Sequence, residues 1–534
     1  MQPGESAAEL HHDGDDDPRH HDAGGGHDGD RDGGALTMAR RIRWLGVGMV
    51  VCFFLLFLQL NDIQVVKAHQ YATDPDNPAV KAQGQQPRGD IQSADGQILA
   101  KSVRAPKNSG YKYERVYPEK WASLFSGVVG VDSPNYENYG VEASYNSYLV
   151  AHNRPITSLK DLLTTGAPIT DTVTLTLSTT LQAAARSALG QQVGAVVALD
   201  PQTGAVLAMY SNPTYDPNLL ASLNSDKEAF AFTEDNTRNA AGFTPFTSLA
   251  YQDASQFGPG STFKIVTTAA AYDKAPQLVN TPIPVFTTIP ANYFKGQSQS
   301  LSNDDFASCG GTIATMLPIS CDTGYAILGT KIGAPAMTAE ADGFGFNQQP
   351  PIDLPHGSEE VSNFLQPACY ENAQVFLAYS SIGQKCTQAS PLQMAMVASA
   401  IADNGVIMTP HVMDQIRDSD GNLVDQYQPI PWKQATSPQT AQAINLLMRE
   451  VVTQGTADYV GFLPQDDVAA KTGTAQAGVG NTNVNGWMIA FAPANHPTVA
   501  IAVVIPNTAL YKVGAQVAGP VMKAMIEAAL GPQG

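Results

Sequence analysis

The chain has 534 residues, 43% of them hydrophobic, and a formal net charge of −19. That length exceeds one ordinary domain and allows two or three, with ample apolar residues for a large core. The acidity excludes a general nucleic-acid binder, and no nucleic-acid partner is expected.

Residues 1–43 begin with an Asp-, Gly- and His-rich run (HHDGDDDPRHHDAGGGHDGDRDGG) that has almost nothing apolar to bury. A disordered tail is expected there. Its His–Asp clusters show no ligand spacing, so no metal site is expected. Met38 stands just before a basic cluster and is a candidate translation start. Arg40, Arg41 and Arg43 then precede an uncharged apolar run, Trp44 to Leu60, that Ile63 extends. Roughly 17 residues is the short end of what crosses a bilayer, and a transmembrane anchor is predicted over 44–64. The preceding arginines put the tail in the cytoplasm and the remainder outside. A cleaved signal peptide is the competing reading. Against it, the run is long and no small-residue cleavage site follows at once.

Residues 65–185 read as a smaller α/β module beside the membrane. Asp95-Gly96 marks a turn between short strands, and helical patches are predicted over Glu114–Gly127 and Ser158–Thr164. No reactive constellation stands there, so a spacer or docking role is the default.

From 186 to 534 the pattern changes. Gly194–Leu199 and Ala205–Ser211 read as strands around the turn Asp200-Pro201-Gln202-Thr203-Gly204. Val468–Thr474, Gly486–Ala492 and Thr498–Ile505 read as strands at the far end. Helices are predicted between them, over Ser261–Tyr272, Ser320–Leu328, Pro391–Asn404 and Pro438–Val452, with a last one over Gly514–Leu530. Five strands split between the two ends of a domain imply one antiparallel sheet closed by distant segments, an α+β layer fold. That closure brings the strand of Lys471 beside the helix of Ser261.

Those two residues carry the chemistry. Gly258-Pro259-Gly260 breaks the chain, and Ser261 opens a helix whose free N–H groups favour developing negative charge. Lys264, three residues on, shares the helix face. A serine hydroxyl needs a base to become a nucleophile, and a desolvated lysine can serve. Alone, Ser-x-x-Lys reads equally as an N-cap and a solvated lysine. It is joined, in order, by Ser320-Cys321-Asp322 and by Lys471-Thr472-Gly473-Thr474. The order Ser-x-x-Lys, Ser-x-Asn, Lys-Thr-Gly belongs to penicillin-binding proteins and serine β-lactamases. No cofactor is expected. Cys309, Cys321, Cys369 and Cys386 follow the anchor, where disulfides are permitted. Proximity favours Cys309–Cys321 and Cys369–Cys386, although four cysteines allow three pairings.

On these motifs and on the runs GAVVALDPQTGAVLAMYSNPTYDPNLLAS, FGPGSTFKIVTTAAA, SCDTGYAILGTKIG and AAKTGTAQ, the chain resembles the class B penicillin-binding proteins. The likeness runs from the anchor almost to the C-terminus and is greatest to the actinobacterial penicillin-binding protein A type. RGDIQSADGQILAKS and YGVEASYNSYL resemble the family's pedestal region. The resemblance implies a penicillin-binding transpeptidase fold, a five-stranded sheet covered by helices with a helical subdomain, over 186–534. It implies cross-linking of peptidoglycan stem peptides, a D-Ala–D-Ala donor and an amine acceptor, with β-lactams as inhibitors and other cell-wall synthesis membrane proteins as partners. Ser261 would be the nucleophile, Lys264 its base and Ser320 a proton relay beside Asp322. Lys471 and Thr472 would hold the substrate carboxylate. Gly473 would let the substrate backbone approach, and Thr474 would share the oxyanion hole with the Ser261 backbone. A D,D-carboxypeptidase and a weakened division scaffold are the alternatives. Asp322 stands where the family has Asn, and Phe257-Gly258-Pro259 where it usually has Tyr-Pro-Pro. Tyr370-Glu371-Asn372 is a second candidate for the middle motif.

Overall fold

The computed structural model describes residues 32–61, 84–151, 169–239, 242–252, 257–304, 307–355, 361–365, 369, 373–477 and 482–531. Most of the expected tail, the patch Ser158–Thr164 and the triplet Tyr370-Glu371-Asn372 lie outside them. The chain divides into two units, residues 1–77 and 78–534.

In the first unit, helix α1 runs over Asp32–Asn61. It starts earlier than the apolar run, so the end of the expected tail is helical. Ala35 to Arg41 are mostly good helix formers and extend the apolar helix backward. The segment Arg43–Leu60 has 18 residues, about 27 Å of helix and close to the thickness of a hydrocarbon core. Trp44, Phe53 and Leu56 are all exposed, as an all-round apolar helix in lipid requires.

Among its described residues the second unit holds two main sheets, one of six mostly short strands and one of five longer strands, besides four two-stranded pairs. The smaller is built from β1 (Ile91–Gln92), β2 (Ile98–Arg104), β3 (Tyr113–Val116) and β4 (Thr172–Leu175). β1 and β4 pair in parallel. Two further strands, Met413–Arg417 and Leu423–Gln426, join at the β4 edge from far downstream. The predicted helix over Glu114–Gly127 is half wrong: its start is β3 and helix begins at Ala122. Pro118 explains this, because the residue before a proline is biased toward extended backbone. A buried ion cluster ties the module together. Glu142 accepts from Arg88 Nε at 2.8 Å and Arg115 Nε at 2.6 Å. Burial alone would raise its carboxyl, yet Arg115 and Arg88 hold it below the usual range.

The larger sheet comprises β5 (Gly194–Leu199), β6 (Val206–Asn212), β7 (Ala469–Ala477), β8 (Asn483–Ala492) and β9 (Val499–Ala509). Its order is β7-β8-β9-β5-β6, antiparallel throughout, as the split strand pattern predicts. β5 is buried along its whole length, and β8 and β9 along most of theirs. Such strands need cover on both faces, which is why they read as continuous apolar runs. Its helices include α2 (Thr179–Leu189), α3 (Lys264–Lys274), α4 (Asp322–Ile332), α5 (Pro391–Ala402), α6 (Pro438–Gln454) and α7 (Gly519–Leu530). α2 and α7 pack together against the sheet, and the almost wholly buried α5 packs on β5 and β9. The predicted last helix breaks after Val517, and Gly519 starts α7.

Candidate active site

Ser261 sits on a 3-10 turn, Gly260–Phe263, and the α-helix proper starts at Lys264. The turn is pinned to β7. Gly260 has φ +54°, and a Cβ there would lie 2.6 Å from the Thr474 carbonyl oxygen, so glycine is required. Its N–H donates to Gly383 O at 2.9 Å, and Trp487 Nε1 donates to Gly258 O at 2.9 Å. Gly473 is equally constrained. A Cβ at that position would come within 2.8 Å of both Pro259 O and Thr262 Cγ2. The glycine therefore admits the nucleophile's own turn to β7, a role beyond the substrate approach expected of it.

Lys264 is fully buried. Its Nζ donates to Asp322 Oδ1 at 2.6 Å, Ser320 O at 2.7 Å and Ser261 Oγ at 2.9 Å, and lies 3.2 Å from Ser320 Oγ. Ser261 Oγ is itself 3.4 Å from Asp322 Oδ1. The middle motif is shaped by Ser320, which has φ +58°. A residue in the left-handed region cannot begin a right-handed helix, so α4 starts at Asp322, two residues later than predicted. Cys321 is bonded to Cys309, and Cys369 to Cys386, the pairings that proximity favours. The first bridge fastens the Ser320 turn to the short strand Cys309–Gly311. Asn303 fastens it again: its Oδ1 accepts from Thr323 N at 2.8 Å while its Nδ2 donates to Phe286 O at 2.8 Å.

On β7, Lys471 is fully buried and donates to Ser320 Oγ at 2.8 Å and Thr472 O at 2.9 Å. The two lysines thus share the Ser320 hydroxyl. Burial, and then the charge of Lys264, push the Lys471 ammonium well below its ordinary value. A carboxylate bound beside it would favour the charged form. Thr472 Oγ1 is 2.5 Å from Thr456 Oγ1, and Thr474 Oγ1 accepts from Gly514 N at 3.0 Å.

The result is a cleft of about 210 Å³ with Ser261, Ser320, Thr472, Gly473 and Thr474 on its floor and walls. All eight residues singled out in the sequence converge on it or on the lysine pair behind it. Sequence reasoning missed Asn303, Thr456, Tyr459 and the segment Val513–Ala515, which also line the cleft. They carry no motif. Folding makes Gly514 obligatory, since a Cβ there would lie 1.8 Å from Gly473 O, a constraint that the sequence alone does not display. No cluster of metal-ligating side chains occurs among the described residues.

A serine and two buried lysines joined through a second serine, at the edge of this five-stranded sheet, define a class. Residues 194–527 match the penicillin binding protein transpeptidase domain, and residues 88–173 match the penicillin binding protein A dimerisation domain. The chain belongs to the penicillin-binding protein transpeptidase family. Within it, the chain is 33% identical over 510 residues to the peptidoglycan D,D-transpeptidase PbpA of Mycobacterium tuberculosis, covering 92% of this chain and 99% of that one. It is 32% identical over 511 residues to PbpA of Mycolicibacterium smegmatis, covering 92% of this chain and 99% of the relative. Among solved structures, the ceftriaxone acyl-enzyme complex of penicillin-binding protein A from M. tuberculosis superposes with a TM-score of 0.75 at 32% identity, over 84% of this chain and 100% of that one. Its penicillin G acyl-enzyme complex gives 0.73 over 84% of this chain and 100% of that one, again at 32% identity.

Proposed function

We propose that this chain is a serine-type peptidoglycan D,D-transpeptidase of cell-wall synthesis, acylated by β-lactams. The observation that carries the reading is the single hydrogen-bonded group Ser261–Lys264–Ser320–Lys471 opening on one cleft. Ser261 Oγ attacks the carbonyl of a D-Ala–D-Ala donor, and its proton passes to Lys264. Ser320, between the two lysines, returns a proton to the departing D-Ala amine. The acyl group then moves to the amine of a second stem peptide, with proton flow reversed. Lys471 and Thr472 hold the donor carboxylate, and the backbone N–H groups of Ser261 and Thr474 hold the oxyanion, an interaction worth about 2.7–4 kcal/mol per donor in other enzymes.

α1 anchors the chain, with its arginine-bearing end cytoplasmic and the cleft outside. Other cell-wall synthesis membrane proteins are the expected partners. The direct test is intact-mass analysis with penicillin: one acyl group is expected on the parent protein and none on Ser261→Ala. Labelling that survives the substitution would remove Ser261 from its role. The Lys264–Asp322 ion pair favours one further arm. Products of a stem-peptide substrate with an amine acceptor separate transpeptidase from D,D-carboxypeptidase, and an unlabelled parent would indicate a weakened scaffold.

A further inference from the structure

Among the described residues that line the catalytic cleft there is a single carboxylate, Asp304, and the residue is exposed. The other polar groups on the lining are hydroxyls, the Asn303 amide and backbone. A lone negative charge in a cleft that must receive two substrates selects between them.

Asp304 is tied to the middle motif. Its neighbour Asn303 is buried and bonded three ways. Asn303 Nδ2 donates to Phe286 O and to Ala307 O, each at 2.8 Å, and Oδ1 accepts from Thr323 N at 2.8 Å. Ala307 N in turn donates to Asp304 O at 3.2 Å. Thr323 lies three residues beyond Ser320, so the carboxylate and the Ser320 hydroxyl hang from one hydrogen-bonded frame. The donor's carboxylate belongs elsewhere, with Lys471 and Thr472 on β7. Asp304 is near enough to Lys471 for its charge to favour that ammonium. A donor carboxylate moved toward Asp304 would meet like charge.

We propose that Asp304 is a specificity-determining residue for the acceptor and draws a cationic primary amine to the acylated cleft. The acceptor's identity as a stem-peptide amine rests on the transpeptidase reading above. In water such an amine arrives as an ammonium, the one cation the reaction brings to the site. A carboxylate in a cleft raises its local concentration. The ammonium loses one proton to solvent, and its nitrogen bonds to the acyl carbon. The nitrogen is positive again as that bond forms, and the carboxylate favours this state too. The surplus proton passes through Ser320 and Lys264 to Ser261 Oγ as the ester C–O bond breaks. Asp304 enters none of these bond changes. Water, the competing acceptor, carries no charge and gains nothing from it.

The test uses the full chain in detergent micelles with a thioester donor, and reads the ratio of transfer to hydrolysis. That ratio is set after the acyl-enzyme has formed, so any effect of Asp304 on Lys471 during acylation does not enter it. D-alaninamide is the amine acceptor. D-lactamide, with a hydroxyl in place of the ammonium, is its neutral counterpart. Asp304→Asn should lower the ratio for D-alaninamide about fivefold, the scale of one exposed ion pair, and leave that for D-lactamide unchanged. Asp304→Glu should restore most of the loss, and added salt should lower the parent's ratio toward that of Asp304→Asn. A thermal midpoint equal to the parent's reports an intact fold. If D-lactamide accepts nothing, the salt dependence and the Asp304→Glu rescue decide alone. Equal ratios in the parent and Asp304→Asn, or equal losses with both acceptors, overturn the proposal and leave transpeptidation standing. A parent that hydrolyses the donor and transfers to neither acceptor overturns the transpeptidase reading, and this proposal with it.

Discussion

Replacing Asp322 with asparagine should make acylation faster, and the geometry says why. An ammonium has three protons, and Lys264 Nζ has three near acceptors: Asp322 Oδ1 at 2.6 Å, Ser320 O at 2.7 Å and Ser261 Oγ at 2.9 Å. In this arrangement the lysine donates to the nucleophile it must deprotonate. The carboxylate holds that ammonium in an ion pair and offers the site only an acceptor. Asparagine in its place still accepts from Lys264 through its carbonyl. Its Nδ2 adds a donor that a carboxylate lacks. That donor is worth about 1–3 kcal/mol to a buried polar partner, roughly ten- to a hundredfold in rate. Asp322 is 16% exposed, so solvent moderates the effect and about tenfold is the expected gain. The assay is the second-order rate of acylation by a chromogenic cephalosporin. Asp322→Asn should be the faster of the two proteins. An equal rate would refute the reasoning and take Asp322 out of the acylation step.

Three other outcomes follow from the same structure. Lys471 is lowered by burial and by Lys264, so as pH rises acylation by a carboxylate-bearing penicillin should already fall off before the pH of about 10.4 at which a free lysine titrates. The carboxyl ester of that penicillin should lack the decline, and identical alkaline limbs would contradict the assignment. Cys321→Ser opens the 12-residue separation to Cys309 and should lower stability by about 2–4 kcal/mol; it should slow acylation too, because the Ser320 turn loses a tether. A thermal midpoint and rate matching the parent's would exclude both effects. Glu340 is pushed up to about 7, chiefly by burial, with Lys274 opposing and Asp273 adding to the rise. The folded carboxyl therefore holds its proton more tightly than the unfolded one, near 4.3. Its contribution to stability is full below about pH 4 and is lost as pH rises toward 7. Glu340→Gln should match the parent near pH 4.5 and exceed it by about 2–3 kcal/mol at pH 8; parallel stability curves would disprove the linkage.

The five-stranded sheet was legible because its strands are buried on both faces and read as unbroken apolar runs. Ser261, Lys264 and Lys471 were legible because their spacing and order are specific. Other parts depend on contacts that a sequence does not display. Nothing local marks Ser320 as left-handed; the turn that closes on Cys321 imposes it. Asn303 and Thr456 are ordinary residues until folding sets one against the start of α4 and the other against Thr472. The strands Met413–Arg417 and Leu423–Gln426 were missed because both are short and the second is fully exposed, leaving little alternation to detect. The downward shift of Lys471 was not legible because burial, its main cause, is a property of the folded chain.

The Met413–Arg417 strand has a consequence for how this protein can be divided. It lies between α5 and α6 in the chain, yet it pairs with β4 of the smaller module. Cutting the polypeptide near residue 185 would separate two segments that fold as one sheet. The excised C-terminal piece would keep its cleft but expose an orphaned row of backbone N–H and C=O groups along that strand, a ready template for intermolecular pairing. A soluble fragment made for crystallography or inhibitor screening should therefore begin after the anchor, not at the start of the catalytic domain. For the same reason, exchange of the smaller module between relatives would have to carry residues 413–426 with it.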